Sequence, residues 1–136
     1  MKIAGVAPVL RRHPLLFAYL FGSQAKGRAS SRSDVDIAAY FSPKISADRR
    51  RALRMSLASD LMGALRRDDL DLVILNEAPP FLAFHAIRPG KVIFSRDELA
   101  RTRFEARTMS LYFDRLHYFQ KSADTMIERV ARKGLQ

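Results

Sequence analysis

Apolar positions along this chain fall into short continuous runs and two helical stripes. Leu15 to Phe21 is apolar throughout, stops at Gly22, and predicts a buried strand. A polar stretch rich in Gly, Ser and Arg follows to Ser33. Val35 to Phe41 then starts behind Asp34, contains Asp36, closes at Ser42-Pro43, and predicts a second strand. Ser46 offers an N-cap to a helix in which Leu53, Leu57, Leu61 and Leu65 share one face, ending near Asp68. Leu70 to Leu75 predicts a third strand. It is apolar on both faces apart from Asp71, which predicts a central place in the sheet. Pro79-Pro80 opens a short helix that ends at Pro89-Gly90, and Lys91 to Phe94 is a brief fourth strand. Ser95-Arg96-Asp97-Glu98 reads as a capping box that starts a long C-terminal helix.

Along that helix Met109, Tyr112, Leu116, Phe119, Ala123, Met126 and Val130 recur at alternating spacings of three and four, and Phe113 and Ile127 widen the seam. A helix of about 35 residues spans roughly 50 Å, more than the width of a small domain, so its far end is expected to leave its own core. The stripe is then an interface for an acceptor protein or for a second copy of the chain. The pattern as a whole predicts an α/β (α+β) domain: a small mixed sheet of about four strands flanked by helices, with a helical tail.

Composition narrows the chemistry. The 136 residues include no Cys and no Trp. Without Cys there is no disulfide scaffold, iron–sulfur cluster, thiolate zinc site or cysteine nucleophile, and a reducing, cytoplasmic setting is expected. The formal net charge is +10, with 13 basic and 5 acidic residues up to Asp68 against 11 and 9 after it. That surplus favours anionic partners, nucleotides or nucleic acid among them, and does not choose between them. Arg49-Arg50-Arg51 reads as a solvated helix face rather than a nucleic-acid footprint. Neither a secretory leader nor a membrane span is expected: Met1 to Leu10 is short, interrupted by Pro8 and followed by Arg11 and Arg12, and Pro14 to Ala25 is far below the roughly 20 residues a bilayer requires.

The candidate chemistry lies between Gly22 and Asp36. Residues alternate across a strand, so Asp34 and Asp36 share one face while Val35 and Ile37 share the other. Two carboxylates about 7 Å apart repel unless a cation lies between them, and Mg²⁺ commonly combines one or two carboxylates with phosphate oxygens. The pair therefore implies a nucleotide as the remaining ligand. Gly22-Ser23 supplies the complementary half: glycine permits close approach of the backbone, successive N–H groups hold phosphate, and Ser23 adds a hydroxyl. Lys26 and Arg28, with Arg32, lie in the same connection and would neutralise phosphate charge. Of Asp68, Asp69 and Asp71, the last is the preferred third carboxylate, because a bare charge inside an apolar strand is costly. In a site with two cations Asp34 and Asp36 bridge the ions, and Asp71 holds the ion at the incoming hydroxyl or itself accepts its proton. Gly22 and Gly27 have the spacing of a Walker A loop, but Arg28-Ala29 replaces its Lys-Ser/Thr. His13, His85 and His117 lack metal-ligand spacing.

Gly22-Ser23-Gln24-Ala25-Lys26-Gly27, then Ser33-Asp34-Val35-Asp36-Ile37, then Leu70-Asp71-Leu72-Val73 resembles the signature of the DNA polymerase beta-like nucleotidyltransferases. Arg88-Pro89-Gly90 and Phe94 look like the minimal, MNT-type branch, although Lys26 stands where that branch commonly has arginine. The resemblance implies a minimal nucleotidyltransferase domain over 1–96 and a C-terminal extension over 97–136 that packs on it, on a partner, or on both. It also implies an antitoxin that transfers AMP from ATP to a tyrosine of a HEPN-domain ribonuclease toxin, with Mg²⁺ (two ions) held by Asp34, Asp36 and Asp71. Two other readings stand beside it. One is a small-molecule nucleotidyltransferase of the antibiotic-modifying kind, which would have to borrow its acceptor pocket. The other is a silent module that neutralises a toxin by contact.

Overall fold

The computed structural model describes residues 5–22 and 34–133. Four strands, β1 (Leu15–Phe21), β2 (Val35–Phe41), β3 (Leu70–Ile74) and β4 (Lys91–Ser95), form one sheet in the order β3-β2-β1-β4. β1 pairs antiparallel with both β2 and β4, and β2 pairs parallel with β3. A parallel pair requires a crossover, which α2 (Ala47–Leu65) provides. Helix α1 (Val6–Arg12) precedes β1, α3 (Pro80–Ile87) connects β3 to β4, and α4 (Glu98–Lys133) follows β4.

The sheet is buried on both faces. Against one face Val6, Val9 and Leu10 of α1 and Leu57 and Leu61 of α2 pack on Leu15, Leu20, Val35, Ile37, Phe41, Leu72 and Ile74. Against the other, Ala83, Ala86 and Ile87 of α3 and Phe104 of α4 cover Phe17, Tyr19, Ala38 and Leu75. An irregularity between Leu15 and Phe17 lets Leu15 face one layer while Leu16 and Phe17 both face the other. A run as uniformly apolar as β1 carries no alternation from which this shift could be read.

The predicted strands and the α2 helix stand where the hydrophobic pattern put them, and the Ser46 hydroxyl accepts a 3.1 Å bond from the Arg49 N–H as its cap. Three details differ. β3 is an edge strand rather than a central one. Its two apolar faces are explained by packing in both layers, with Leu72 and Ile74 in one and Val73 in the other. The cap of α4 is Asp97, whose Oδ1 accepts from Ala100 N–H at 3.0 Å; Ser95 is the last residue of β4, paired with Phe17. Helix α1 was not foreseen, because Pro8 argues against a helix in so short a segment. Here Pro8 falls in the first turn, where an N–H has no helical partner anyway. His13 just beyond α1 is buried and bonds Asp60 of α2 through Nε2 at 2.8 Å, tying the two helices together.

Asn76, directly after β3, closes the far end of the sheet. Its Oδ1 accepts from Phe41 N–H at 2.8 Å and its Nδ2 donates to Phe41 C=O at 2.9 Å, so one amide completes the ladder of β2. Asn76→Ala leaves a donor and an acceptor of a buried strand unpaired, and is expected to destabilise the fold by about 2–3 kcal/mol, read from the urea unfolding midpoint at unchanged slope.

Candidate active site

Parallel register sets Asp36 beside Asp71 as Cα partners, and antiparallel register sets Phe21 beside the same Asp36. The end of β1 and the starts of β2 and β3 therefore meet at one end of the sheet. Val35 and Ile37 are buried under α1 and α2, which turns Asp36 to the α3/α4 face, and Leu72 in the same layer does the same for Asp71. Asp34 is exposed at the mouth of β2, Asp36 is half-buried, and Asp71 is exposed. The exposure of Asp71 corrects the reading of it as a charge enclosed in an apolar strand. As an edge position it keeps water on one side, and what singles it out is its neighbour.

That neighbour is under electrostatic load. Burial, followed by the charges of Asp71 and Asp34, raises the Asp36 carboxyl above the usual carboxylate range, and Asp71 lies within its hydrogen-bonding reach. Among the described residues Asp36 and Asp71 have no Lys or Arg ion pair, whereas Asp34 lies within the electrostatic influence of Arg67. The other acidic candidates differ. Asp69 is taken up by Arg67, through bonds of 2.8 Å from Nε and 2.6 Å from Nη2, which hold its carboxyl below the usual range. Asp68 is exposed.

Gly22 has φ +72°, and a Cβ built on it would lie 2.2 Å from Oδ2 of Asp36. Glycine is thus required twice over, by the left-handed backbone and by the carboxylate that occupies the side-chain space. Ser23, Lys26, Arg28 and Arg32 lie outside the described residues.

Among the described residues no three His, Asp or Glu side chains are arranged closely enough to hold a metal ion by themselves. The donor set nevertheless fits Mg²⁺ in its usual nucleotide-bound form, which takes one or two carboxylates and completes its octahedron with phosphate oxygens and water. Asp36 and Asp71 are such a pair, with Asp34 two residues away at the same mouth.

A family model described as "Polymerase beta, Nucleotidyltransferase" matches residues 5–99, which include β1 through β4. The chain belongs to the polymerase beta nucleotidyltransferase family. No curated protein matches the chain as a relative by sequence. Solved structures do. A chain of a toxin–antitoxin complex with AMP-PNP is 27% identical with a TM-score of 0.72, covering 96% of this chain and 99% of that one. A chain from the complex of tri-AMPylated Shewanella oneidensis HEPN toxin with MNT antitoxin is 28% identical with a TM-score of 0.60, covering 91% of each. A chain of the MntA-HepT toxin–antitoxin is 27% identical with a TM-score of 0.60, covering 91% of this chain and 92% of that one. These likenesses extend through most of α4 as well as the sheet.

Sequence reasoning overlooked Arg54, which lines a depression together with Asp71, and its helix neighbour Arg50. Arg54 Nη2 donates to Leu72 C=O at 3.2 Å and its Nη1 lies 4.0 Å from Glu77, while Arg50 Nη2 lies 3.6 Å from the same Glu77. Arg49 and Arg51 are exposed, so only part of the Arg49-Arg50-Arg51 run is a solvated face. The signal was available in spacing: Arg50 and Arg54 are four apart on a helix, hence on one side of it.

Two outcomes follow. Gly22→Ala is expected to displace the Asp36 carboxylate and weaken Mg²⁺-dependent ATP binding about tenfold or more, measured by calorimetry, with the sheet intact by circular dichroism. Asp36→Asn is expected to raise the unfolding temperature in chelator by about 2–4 °C at neutral pH. The raised carboxyl means the folded state holds this proton more tightly than the unfolded state does. The penalty of ionising Asp36 is therefore absent below its unfolded-state value and complete above its folded one. The gain in Asp36→Asn should accordingly vanish as pH falls through that window.

Proposed function

We propose that this protein is an ATP- and Mg²⁺-dependent adenylyltransferase that acts as an antitoxin, moving AMP from ATP onto a tyrosine hydroxyl of a cognate HEPN-type toxin. The observation that carries this reading is the in-register pair Asp36 and Asp71, uncompensated by any described cation and set against a glycine that leaves no side chain between β1 and the carboxylate. The AMP-PNP complex and the AMPylated HEPN complex among similar structures support it.

In this reading Asp34 and Asp36 hold Mg²⁺, two ions in all, with Asp71 as the third ligand. Bound there, the cation neutralises the triphosphate and polarises the α-phosphate. Gly22, followed by Ser23, Lys26 and Arg28, receives the β- and γ-phosphates on the β1 side. Asp71, on the β3 side, accepts the proton of the tyrosine hydroxyl as its oxygen bonds to the α-phosphorus. The bond from that phosphorus to the β-phosphate oxygen breaks and pyrophosphate departs. The edge position of β3 suits this role, since a protein acceptor needs open access to Asp71.

Residues 1–96 form the nucleotidyltransferase unit in this account, and residues 97–136 reach the partner. Helix α4 is anchored over its first part. Tyr19 donates to Glu105 at 2.5 Å, Phe104 lies against Phe17 and Tyr40 at 5.6 and 5.0 Å, and Tyr112 stacks on Phe84 at 3.8 Å. Beyond Tyr112 every described residue is exposed, among them Phe113, Leu116, Phe119, Met126 and Ile127. That apolar surface is the natural seat of the toxin. No helix among the described residues is long and apolar enough to cross a membrane, and in this reading the antitoxin works in the cytoplasm, where its toxin acts.

The test is transfer of label from the α-phosphate of ATP to the HEPN-type protein encoded beside this gene. Wild-type protein with Mg²⁺ should label it. Asp34→Asn, at an exposed position, should transfer at least about a hundredfold more slowly with an unchanged unfolding transition. Undiminished transfer by that variant would overturn the site. Label that appears only on small acceptors would favour the antibiotic-modifying reading, and tight binding without label the silent module.

A further inference from the structure

Beside Asp71 the open edge of β3 borders a depression of about 350 Å³, lined by Arg54, Asp71, Val73, Glu77, Pro79 and Leu82 among others. Its position gives it a side in the reaction. Displacement at the α-phosphorus needs the attacking oxygen and the leaving pyrophosphate roughly in line. Sheet order puts Gly22 on the β1 side of Asp36 and Asp71 on the β3 side. With the triphosphate at Gly22, the depression lies on the acceptor side. Pro79 also lines the groove of about 210 Å³ between α3 and α4, which contains Leu116 and Phe119, so the depression and that groove lie on either side of one residue.

The charge in it is unlike what a tyrosine needs. A tyrosine hydroxyl is neutral, yet Arg50 and Arg54 together face one carboxylate, Glu77, at 3.6 and 4.0 Å, both at the loose end of ion pairing. Arg50 Nε is buried with no hydrogen-bond partner among the described residues. Arg54 is fixed by the Leu72 carbonyl, an outward-facing group: Asp69 and Leu75 make the ladder bonds to β2, and alternate residues of a parallel strand face away from the partner. Two guanidinium groups share one distant carboxylate, and Arg54, which lines the same depression as Asp71, keeps positive charge and donors there. A planar guanidinium matches a phosphate oxygen pair.

Building on the adenylyltransferase reading, we propose that Arg54, supported by Arg50, is a specificity-determining residue that receives the phosphodiester of a nucleotide already attached to the acceptor. An adenylylated tyrosine offers ribose hydroxyls near one such phosphodiester. When one of those hydroxyls is at Asp71, the anion falls in the depression. The second transfer is then favoured over the first. Each added AMP re-creates the same anion for the next.

A tyrosine peptide and the same peptide carrying AMP on its tyrosine oxygen distinguish this from a structural role. With Mg²⁺ and AMP-PNP present, wild-type protein should bind the adenylylated peptide about tenfold or more tightly than the bare one. Arg54→Gln should remove that preference, Arg54→Lys should restore part of it, and neither should shift the unfolding midpoint beyond the range of surface substitutions. In the transfer assay, followed by intact mass, Arg54→Gln should raise KM for the adenylylated acceptor about tenfold with kcat and the first addition little changed. Equal affinity for the two peptides, or a preference that survives Arg54→Gln, overturns the proposal. Wild-type protein that shows the Arg54-dependent preference but transfers nothing overturns the adenylyltransferase reading and leaves the phosphodiester site standing.

Discussion

Like charges held in register are the constraint around which this molecule is arranged. β2 and β3 run parallel, and their pairing brings Asp36 and Asp71 side by side on one face of the sheet. Neither strand can slip by one residue to relieve the repulsion, because a slip would turn Val35, Ile37, Leu72 and Ile74 out of the layer beneath α1 and α2. The hydrophobic core thus fixes two carboxylates where electrostatics alone would separate them, and the Asp36 carboxyl, raised by burial and by its neighbours, records the cost. Repulsion of this kind is relieved by protonation or by a cation between the carboxylates.

Local features are consistent with that constraint. Gly22 leaves room for the Asp36 carboxylate where any other residue would collide with it. Arg67 engages Asp69, which removes a further negative charge from the same end of the sheet. Placement of β3 at the edge leaves Asp71 open on one side, and Arg54 binds the outward carbonyl of Leu72, which blunts that edge against pairing with another strand. The positive charge of Arg50 and Arg54 is held at Glu77 and is not spent on Asp36 or Asp71.

The long helix divides into two regimes for a simple reason of reach. About 54 Å of helix cannot all rest on a sheet whose strands are five to seven residues long. Its anchoring uses polar and aromatic contacts, Tyr19 to Glu105 and Tyr112 on Phe84, and burial of the Tyr19 hydroxyl against Glu105 raises its ionisation far above the ordinary tyrosine value, so it remains a donor. Past Tyr112 the seam of Leu116, Phe119 and Met126 is presented to the surroundings as a continuous surface.

By itself the sequence determined the four strands, the cap and seam of α2 and the length of α4, and it singled out Gly22, Asp34, Asp36 and Asp71, since each is written in nearest-neighbour pattern. Hydrophobic period and cap residues act over a few positions, and so they are legible without a fold. Tertiary structure alone decided that β3 is an edge, because a strand packed in both layers reads the same at either place. It decided the irregularity in β1, hidden in an unbroken apolar run, and it made Asp97 the helix cap by spending Ser95 on strand pairing with Phe17. It also decided that Asp71 is exposed, that Arg54 lines the same depression, and that Arg50 joins Arg54 at Glu77. Pairing register and crossover direction bring residues from β3 and α2 together across the chain, and no local pattern encodes a distance between elements.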